Sequence, residues 1–351
     1  MNSSSNSAYL HDLNPFLLRI YEDFGIRWYG LAYLAGFLAG YLIILLLSRR
    51  QLTQITPKMV SDFVFTVALG AIIGGRVGYA VFYNPYLFID FSSAVPFWGL
   101  LAIHHGGMAS HGGIIGVSLA CVWYGRRNNL GILHLLDLTT LGGAIGIFFG
   151  RLANFINGEL PGRPAPENLP WAVKFPQDIL AWPSEQPERL REISGVVKEL
   201  GVREETWLEI VRSYQWDSRA WHTMESALNR IIEEIQTGNV VIAEALRPFL
   251  IARHPSQIYG AFLEGLMVFC VLLFVWKKPR KPGIIGCAFL ITYSIMRIFV
   301  EQFRMPDIGI GFQLLNLTRG QWLSIAMLLF GLVSLYIVRQ RSVGKIGGWG
   351  A

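Results

Sequence analysis

Only 3 cysteines occur in the 351 residues. Cys121, Cys270 and Cys287 all fall inside apolar stretches without a Cys-x-x-Cys spacing, which excludes a disulfide framework and a zinc site and leaves them as small core residues. Charge is scarce as well: 15% of residues are charged against 52% hydrophobic, outside ordinary soluble usage. The first residues, MNSSSNSAYLHDLNP, lack the basic start and apolar stretch of a cleavable signal peptide, so the first apolar span must itself direct insertion. The net charge of +6 is not gathered into one basic stripe, which argues against nucleic acid as a partner.

What is present is a series of apolar runs punctuated by basic residues. A helix needs about 20 mainly apolar residues to cross the hydrocarbon core. Seven stretches approach that length, near 28–48, 59–82, 107–124, 134–155, 256–276, 283–302 and 321–338. The sequence therefore predicts an all-α, polytopic membrane protein with about seven transmembrane helices. Arg49, Arg50 and Lys58 follow the first span, Arg126 and Arg127 the third, Lys277, Lys278, Arg280 and Lys281 the fifth, and Arg339, Arg341 and Lys345 the seventh. The short loop from Asn84 to Gly106 has no Lys or Arg. By the positive-inside rule the N-terminus lies outside and the C-terminus in the cytoplasm.

The charged connection from about 156 to 255 does not oppose this orientation, because long loops translocate largely regardless of charge. It is expected to form an external segment. The expected division is a four-span membrane part at 1–176, an external helical insert at 177–250 and a three-span membrane part at 251–351. Within the insert, Ser184 to Gly201 and Ser218 to Gln236 read as amphipathic helices, the first capped by Ser184. Their mixed charges are expected to form a solvated face.

Ionisable groups inside spans are costly and mark candidate sites. At ~1.5 Å per residue, Arg76, Arg151 and Arg297 stand ~24, ~25 and ~21 Å above the inner ends of their spans in a core of ~30 Å. All three reach the outer half, where Tyr29 and His111 are also expected. Snorkelling or a bracing ion pair explains any one arginine equally well, but convergence from several spans favours a site. Tyr293, Arg297 and Glu301 follow at successive i, i+4 positions, which allows Glu301 to pair with Arg297. Arg151 and Asn154 lie one turn apart in GRLANFINGELPGRP, before Gly158 and Gly162 turn the chain away from helix. An arginine fork suits phosphate, so a phospholipid head group is the expected ligand. His111 is the group suited to move a proton near neutral pH. His104 and His105 lack a nearby carboxylate or cysteine cluster, so a structural or interfacial role is expected for them and no metal or other cofactor is required.

These segments resemble prolipoprotein diacylglyceryl transferases. The resemblance rests on RWYGLAYLAGF at 27–37, GGRVGYAVFYNP at 74–85, GGMASHGG at 106–113, GRLANFINGELPGRP at 150–164 and LPWAVKFP at 169–176. RHPSQIY at 253–259, YSIMRIFVEQFRMPD at 293–307 and GQWLSI at 320–325 continue it. It implies a catalytic set of His111, Arg297, Tyr293 and Tyr29, with Arg151, Asn154, Glu159, Gly162 and Glu301 binding substrate. It also implies an enzyme of the bacterial inner membrane that takes phosphatidylglycerol as donor and the lipobox cysteine of prolipoprotein signal peptides as acceptor, among membrane lipids.

Two departures stand out. The stretch from about 177 to 250 exceeds the short link expected between the KFP and RHP motifs. Gly260 stands where the family commonly places Glu, and Glu264, one turn on, either compensates for it or is a separate feature. The rival reading is a multi-span transporter of an anionic substrate, since buried Arg, Glu and His also line transport paths. No inverted repeat is visible to support it.

Overall fold

The computed structural model describes residues 8–21, 24–93, 96–102, 106–306 and 311–350. His104 and His105 lie outside the described residues. In chain order the first four helices are α1 (Trp28–Arg49), α2 (Val60–Phe82), α3 (Ser110–Asn128) and α4 (Ile132–Ile156). Six short or medium helices follow: α5 (Trp182–Glu185), α6 (Arg189–Glu192), α7 (Ser194–Glu199), α8 (Glu204–Ser213), α9 (Ser218–Gln236) and α10 (Val240–Leu246). A continuous helical run then comprises α11 (Ser256–Gly260), a π-helical segment over Ala261–Met267 and α12 (Val268–Trp276). Last come α13 (Ile284–Val300) and α14 (Arg319–Gln340).

Five helices, Trp28–Arg49, Pro57–Phe82, Ile132–Ile156, Ser256–Trp276 and Arg319–Gln340, are long and apolar enough to cross a membrane. Of the two remaining expected spans, α13 is apolar but 17 residues long. The other, α3, is helical, yet its glycines, His111, Arg126 and Arg127 keep it below that apolarity. It starts three residues after the expected position and ends at Asn128, closed by Asn129 in the left-handed conformation at φ 55°.

Tertiary contacts divide the chain into two compact units. One comprises Met1–Ala32, Gly150–Phe262 and Ile298–Gln321, the other Tyr33–Phe149, Leu263–Arg297 and Trp322–Ala351. In the second unit the glycines do what side chains do in soluble bundles. A Cβ on Gly36 or Gly40 would lie 3.1 or 3.2 Å from the Cα of Gly146 or Gly142, so α1 and α4 meet backbone to backbone. On α2, a Cβ on Gly78 would lie 2.6 Å from the Cα of Gly112 on α3. An apolar cluster including Ile44, Phe63, Leu138, Val268 and Trp276 fills this unit. Cys121 and Cys287 are buried as expected, but Cys270 is exposed, facing outward from α12. Asp137 of α4 accepts from the backbone N–H groups of Gly283 (2.6 Å) and Gly286 (2.7 Å), capping the start of α13.

The first unit carries a separate core built from the segment after residue 177, centred on Trp207, Met224, Leu228 and Ile231. Helix α9 spans Ser218–Gln236 as the sequence predicts, with Asp217 as its N-cap. The predicted continuous helix from Ser184 to Gly201 is instead three pieces, α5, α6 and α7. Pro187 lacks an N–H and disfavours helix in the residue before it, and Ile193 adopts φ −90°, ψ 13° between the second and third pieces. Two small sheets add to the all-α expectation. Strands β2 (Phe16–Tyr21) and β3 (Phe24–Arg27) form an antiparallel hairpin that leads directly into α1, and Arg19 on it pairs with Glu233 of α9. Strands β1 (Tyr9–Leu10), β4 (Val173–Lys174) and β5 (Ala252–Arg253) form the other, with β1 parallel and β5 antiparallel to the central β4.

Candidate active site

The first unit gathers motifs that are distant in sequence around the end of α4. Half-buried Arg151 lies in its last two turns, with Asn154 one turn on and 7% exposed. The helix ends at Ile156, and the chain reverses through Gly158 at φ 69°, a left-handed conformation that favours glycine. The N–H of Glu159 donates to the carbonyl of Asn154 (2.9 Å). The exposed Glu159 carboxylate accepts from the side chain of Asn157 (3.1 Å).

Gly162 is needed for a different reason than the expected turn. Its φ is not positive; its backbone runs against two others. It bridges to Arg304, and a Cβ there would collide with the carbonyl of His254 and sit 2.7 Å from that of Phe303. Adjacent backbone bonds, Arg163 N–H to Phe303 (2.8 Å) and His254 N–H to Arg163 (3.0 Å), pin the same crossing. Gly162→Ala is therefore expected to cost about 1–3 kcal/mol as an overpacked site. Thermal unfolding of the detergent-solubilised protein reads this as a fall of several degrees. Gly195→Ala, on α7 with nothing within 4 Å of the added methyl, leaves the midpoint unchanged or raises it.

Side chains reinforce the crossing. The Arg163 Nε donates to the carbonyl of Arg304 (2.9 Å). Arg253 pairs with Asp178 at 2.5 Å and donates to the carbonyl of Gly162 (3.2 Å). Burial pushes the Asp178 carboxyl above the usual range, and the Arg253 guanidinium opposes that shift. The Trp171 indole donates to the Tyr259 hydroxyl at 2.7 Å, linking the PWAVKFP and RHPSQIY motifs. His11, also buried, lies 2.6 Å from the Phe155 carbonyl, and burial holds its imidazole below the usual pKa.

Glu301 serves the start of α14. The Thr318 hydroxyl donates to its carboxylate at 2.9 Å. Thr318 and Gln321 form a reciprocal capping box, the Thr318 N–H donating to Gln321 (2.9 Å) and the Gln321 N–H to Thr318 (3.2 Å). TRGQ, a Thr-x-x-Gln pattern, could have signalled this capping box.

In the second unit Arg297 meets a carboxylate that sequence reasoning had not paired with it. Its Nη1 lies 3.0 Å from Glu264, whose side chain is fully buried. Glu264 sits in the π-helical segment, where an extra residue per turn shifts the face presented by a regular helix. Gly265 beside it packs so closely on α4 that a Cβ would lie 2.6 Å from the Cα of Phe148. Tyr293, one turn before Arg297, stacks on Phe289 at 5.5 Å. Tyr29, in the first unit, is half-buried in the first turn of α1. His111 is exposed in the first turn of α3.

Arg76 is resolved by its surroundings. It is 5% exposed, and its five N–H donors meet five backbone carbonyls: Leu100 (2.9 Å), Gly106 (2.5 Å), Gly107 (3.0 Å), Gly99 (2.6 Å) and Ala102 (3.0 Å). A guanidinium has five donors, so this one has its full set engaged by protein. Arg76 is a staple for the loop leading to His111. The Ala109 N–H, bonded to the Gly75 carbonyl at 2.9 Å, anchors the end of that loop.

These motifs also place the chain among known proteins. A family model described as prolipoprotein diacylglyceryl transferase matches residues 15–337. A phosphatidylglycerol–prolipoprotein diacylglyceryl transferase of Bdellovibrio bacteriovorus is 50% identical over 97% of both chains. Enzymes of the same name from Rhodospirillum rubrum and Bradyrhizobium diazoefficiens are 36% and 34% identical, covering 93% and 92% of this chain and 93% and 90% of their own. Since the match runs through both units and every segment from the hairpin to α14, the chain belongs to the prolipoprotein diacylglyceryl transferase family.

Proposed function

We propose that the protein transfers the diacylglyceryl group of phosphatidylglycerol to the lipobox cysteine of prolipoproteins, forming a thioether and releasing glycerol phosphate. The observation that carries this reading is the 50% identity, over 97% of both chains, with a relative named for that transfer. Seven helices cross the bacterial inner membrane in this reading, the shorter α13 and the less apolar α3 included. The N-terminus is outside, the C-terminus cytoplasmic, and 177–250 is an external segment between membrane parts at 1–176 and 251–351. The basic residues after α1, α3, α12 and α14 support that orientation.

In the reaction, the acceptor sulfur attacks an sp3 glyceryl carbon; a C–S bond forms as the C–O bond to phosphate breaks. The thiol proton passes to a base, and the departing phosphate carries away the electron pair. Arg151 and Arg297 supply hydrogen bonds to that phosphate, help directed at charge that develops as the bond breaks. The Glu264 carboxylate fixes the direction of the Arg297 fork. His111, exposed at the start of α3, takes the thiol proton or orients the thiol, with Tyr29 and Tyr293 as hydrogen-bonding partners. Asn154 and Glu159 shape the pocket for the head group, and Gly162 and Glu301 hold the backbone around it.

The purified protein should transfer labelled diacylglyceryl from phosphatidylglycerol to a lipobox peptide, and not to the same peptide with Ser for Cys. Arg151→Ala should lower transfer at limiting donor by roughly 10²–10³-fold, the scale of losing one transition-state donor. Normal transfer in that variant removes the phosphate role from Arg151. Vectorial movement of an anion without thioether formation supports the transporter instead.

A further inference from the structure

The turn after α4 is surrounded by carboxamides whose orientation is set by chemistry. Gln257 Nε2 donates to the carbonyl of Glu159 at 2.6 Å. Gln177 Nε2 faces the carbonyl of Asn157 at 3.4 Å, and Asn157 Nδ2 donates to the carboxylate of Glu159 at 3.1 Å. Each of these partners is an acceptor, so each amide must present its NH2 side to it. The amide oxygens therefore point elsewhere. Among the described residues, Asn157 Oδ1, Gln177 Oε1 and Gln257 Oε1 are all buried and meet no donor. Gln257 as a whole is 2% exposed.

Three buried acceptors without donors, on amides that all bond to the one turn at 157–159, form an uncommon arrangement, because a buried carbonyl oxygen ordinarily has a partner. Their chemistry calls for a ligand that brings hydrogen-bond donors. A cation is one such class, but Arg151 lies in the last two turns of the helix that leads into this turn, Arg253 donates to the carbonyl of Gly162, and Arg163, next along the chain, donates to the carbonyl of Arg304. Against these three guanidinium groups stand two carboxylates, Asp178 paired with Arg253 and Glu159 bonded to Asn157, so positive charge still exceeds negative, which suits an anion that also carries hydroxyl groups over an ammonium head group or a metal ion.

We propose that Asn157, Gln177 and Gln257 accept hydrogen bonds from the hydroxyl groups of the donor's head-group glycerol and so select a phospholipid with a polyol head group. The inference rests on the transferase reading and assigns its donor specificity to residues outside the set predicted from sequence. A site that hydrogen-bonds a hydroxyl rejects an analogue lacking it strongly, since its own buried acceptors are then left unsatisfied.

The test compares phosphatidylglycerol with phosphatidylethanol, which keeps the phosphate and loses both head-group hydroxyls. Wild type should favour phosphatidylglycerol in kcat/KM by about 10²-fold or more, within the range open to such polar sites. Gln257→Met should narrow the ratio to about tenfold or less, and Gln177→Met, at a less buried position, should narrow it in the same direction. A role confined to folding lowers both donors together and leaves the ratio intact. An unchanged ratio in both variants, or a wild type indifferent to the hydroxyls, overturns the proposal. Lipid binding, read as the midpoint shift that each phospholipid gives in mixed micelles, separates this from failure of the transferase reading. A wild type stabilised selectively by phosphatidylglycerol, with selectivity lost in Gln257→Met, upholds the acceptor site even without transfer; equal stabilisation by both lipids defeats it.

Discussion

Arg76→Lys should lower the thermal midpoint of the solubilised protein by roughly 6–24 °C and reduce transfer at least about 10²-fold. The first figure follows from donor number. Lysine has three donors where arginine has five, so at least two of the carbonyls of Gly99, Leu100, Ala102, Gly106 and Gly107 lose a charge-assisted bond, each ~1.5–3 kcal/mol. A change of 1 kcal/mol moves the midpoint of a domain of 150–250 residues by about 2–4 °C. The second follows from position: the stapled loop leads into the turn bearing His111, and a shift of about 1 Å at a reacting group costs on the order of 10²-fold. Limited proteolysis provides an independent reading, with cleavage at 99–102 and 106–107 accelerated in the variant. Retention of the loop's protection together with normal transfer shows that charge alone suffices at this position.

Arg76 also shows where sequence reading stops. A buried arginine in an apolar helix is visible as an exception to be explained, and depth along the span groups it with Arg151 and Arg297. Its partners are backbone carbonyls of Gly99, Leu100, Ala102, Gly106 and Gly107, which any side-chain sequence can present, so no pattern in the residues announces them. The long helices are legible because about 20 apolar residues have few other destinations. The three pieces that replace a single helix over Ser184–Gly201 required Pro187 to be weighed above the amphipathic pattern. The hairpin preceding α1 combines arginines with exposed Leu17, Leu18 and Ile20, so its residues do not show the inside–outside alternation that marks a half-buried strand. At the site, the resemblance supplied Gly162, but the reason for glycine there is a backbone crossing between segments some 90 and 140 residues away, which is a tertiary fact. Glu264 was legible as a buried charge near the unusual Gly260. Its pairing was not, because counting at 3.6 residues per turn gives the wrong face through a π-helical segment.

That pairing makes Glu264→Gln the variant expected to separate stability from activity. Glu264 is fully buried, with its carboxylate 3.0 Å from Arg297, whose side chain is 13% exposed. Replacing the pair by apolar groups can be neutral, but removing one buried partner typically costs about 3–5 kcal/mol, because the other charge loses a close countercharge. The midpoint of Glu264→Gln should therefore fall by on the order of 10 °C. Arg297→Met should be milder, since a buried carboxyl can be neutralised by a proton whereas a guanidinium cannot shed one. The double variant should recover much of the midpoint lost in Glu264→Gln, as contacting residues are strongly non-additive. Transfer should remain abolished in it, because Arg297 is also assigned to the leaving phosphate. Arg297→Lys refines the point: charge persists, but the fork able to hold Glu264 and phosphate together is gone. Near-normal midpoint with a loss of at least about tenfold in transfer identifies fork geometry as the catalytic requirement. Full activity in either Arg297→Lys or the double variant places phosphate stabilisation on Arg151 and leaves the Arg297–Glu264 pair as a brace of its bundle.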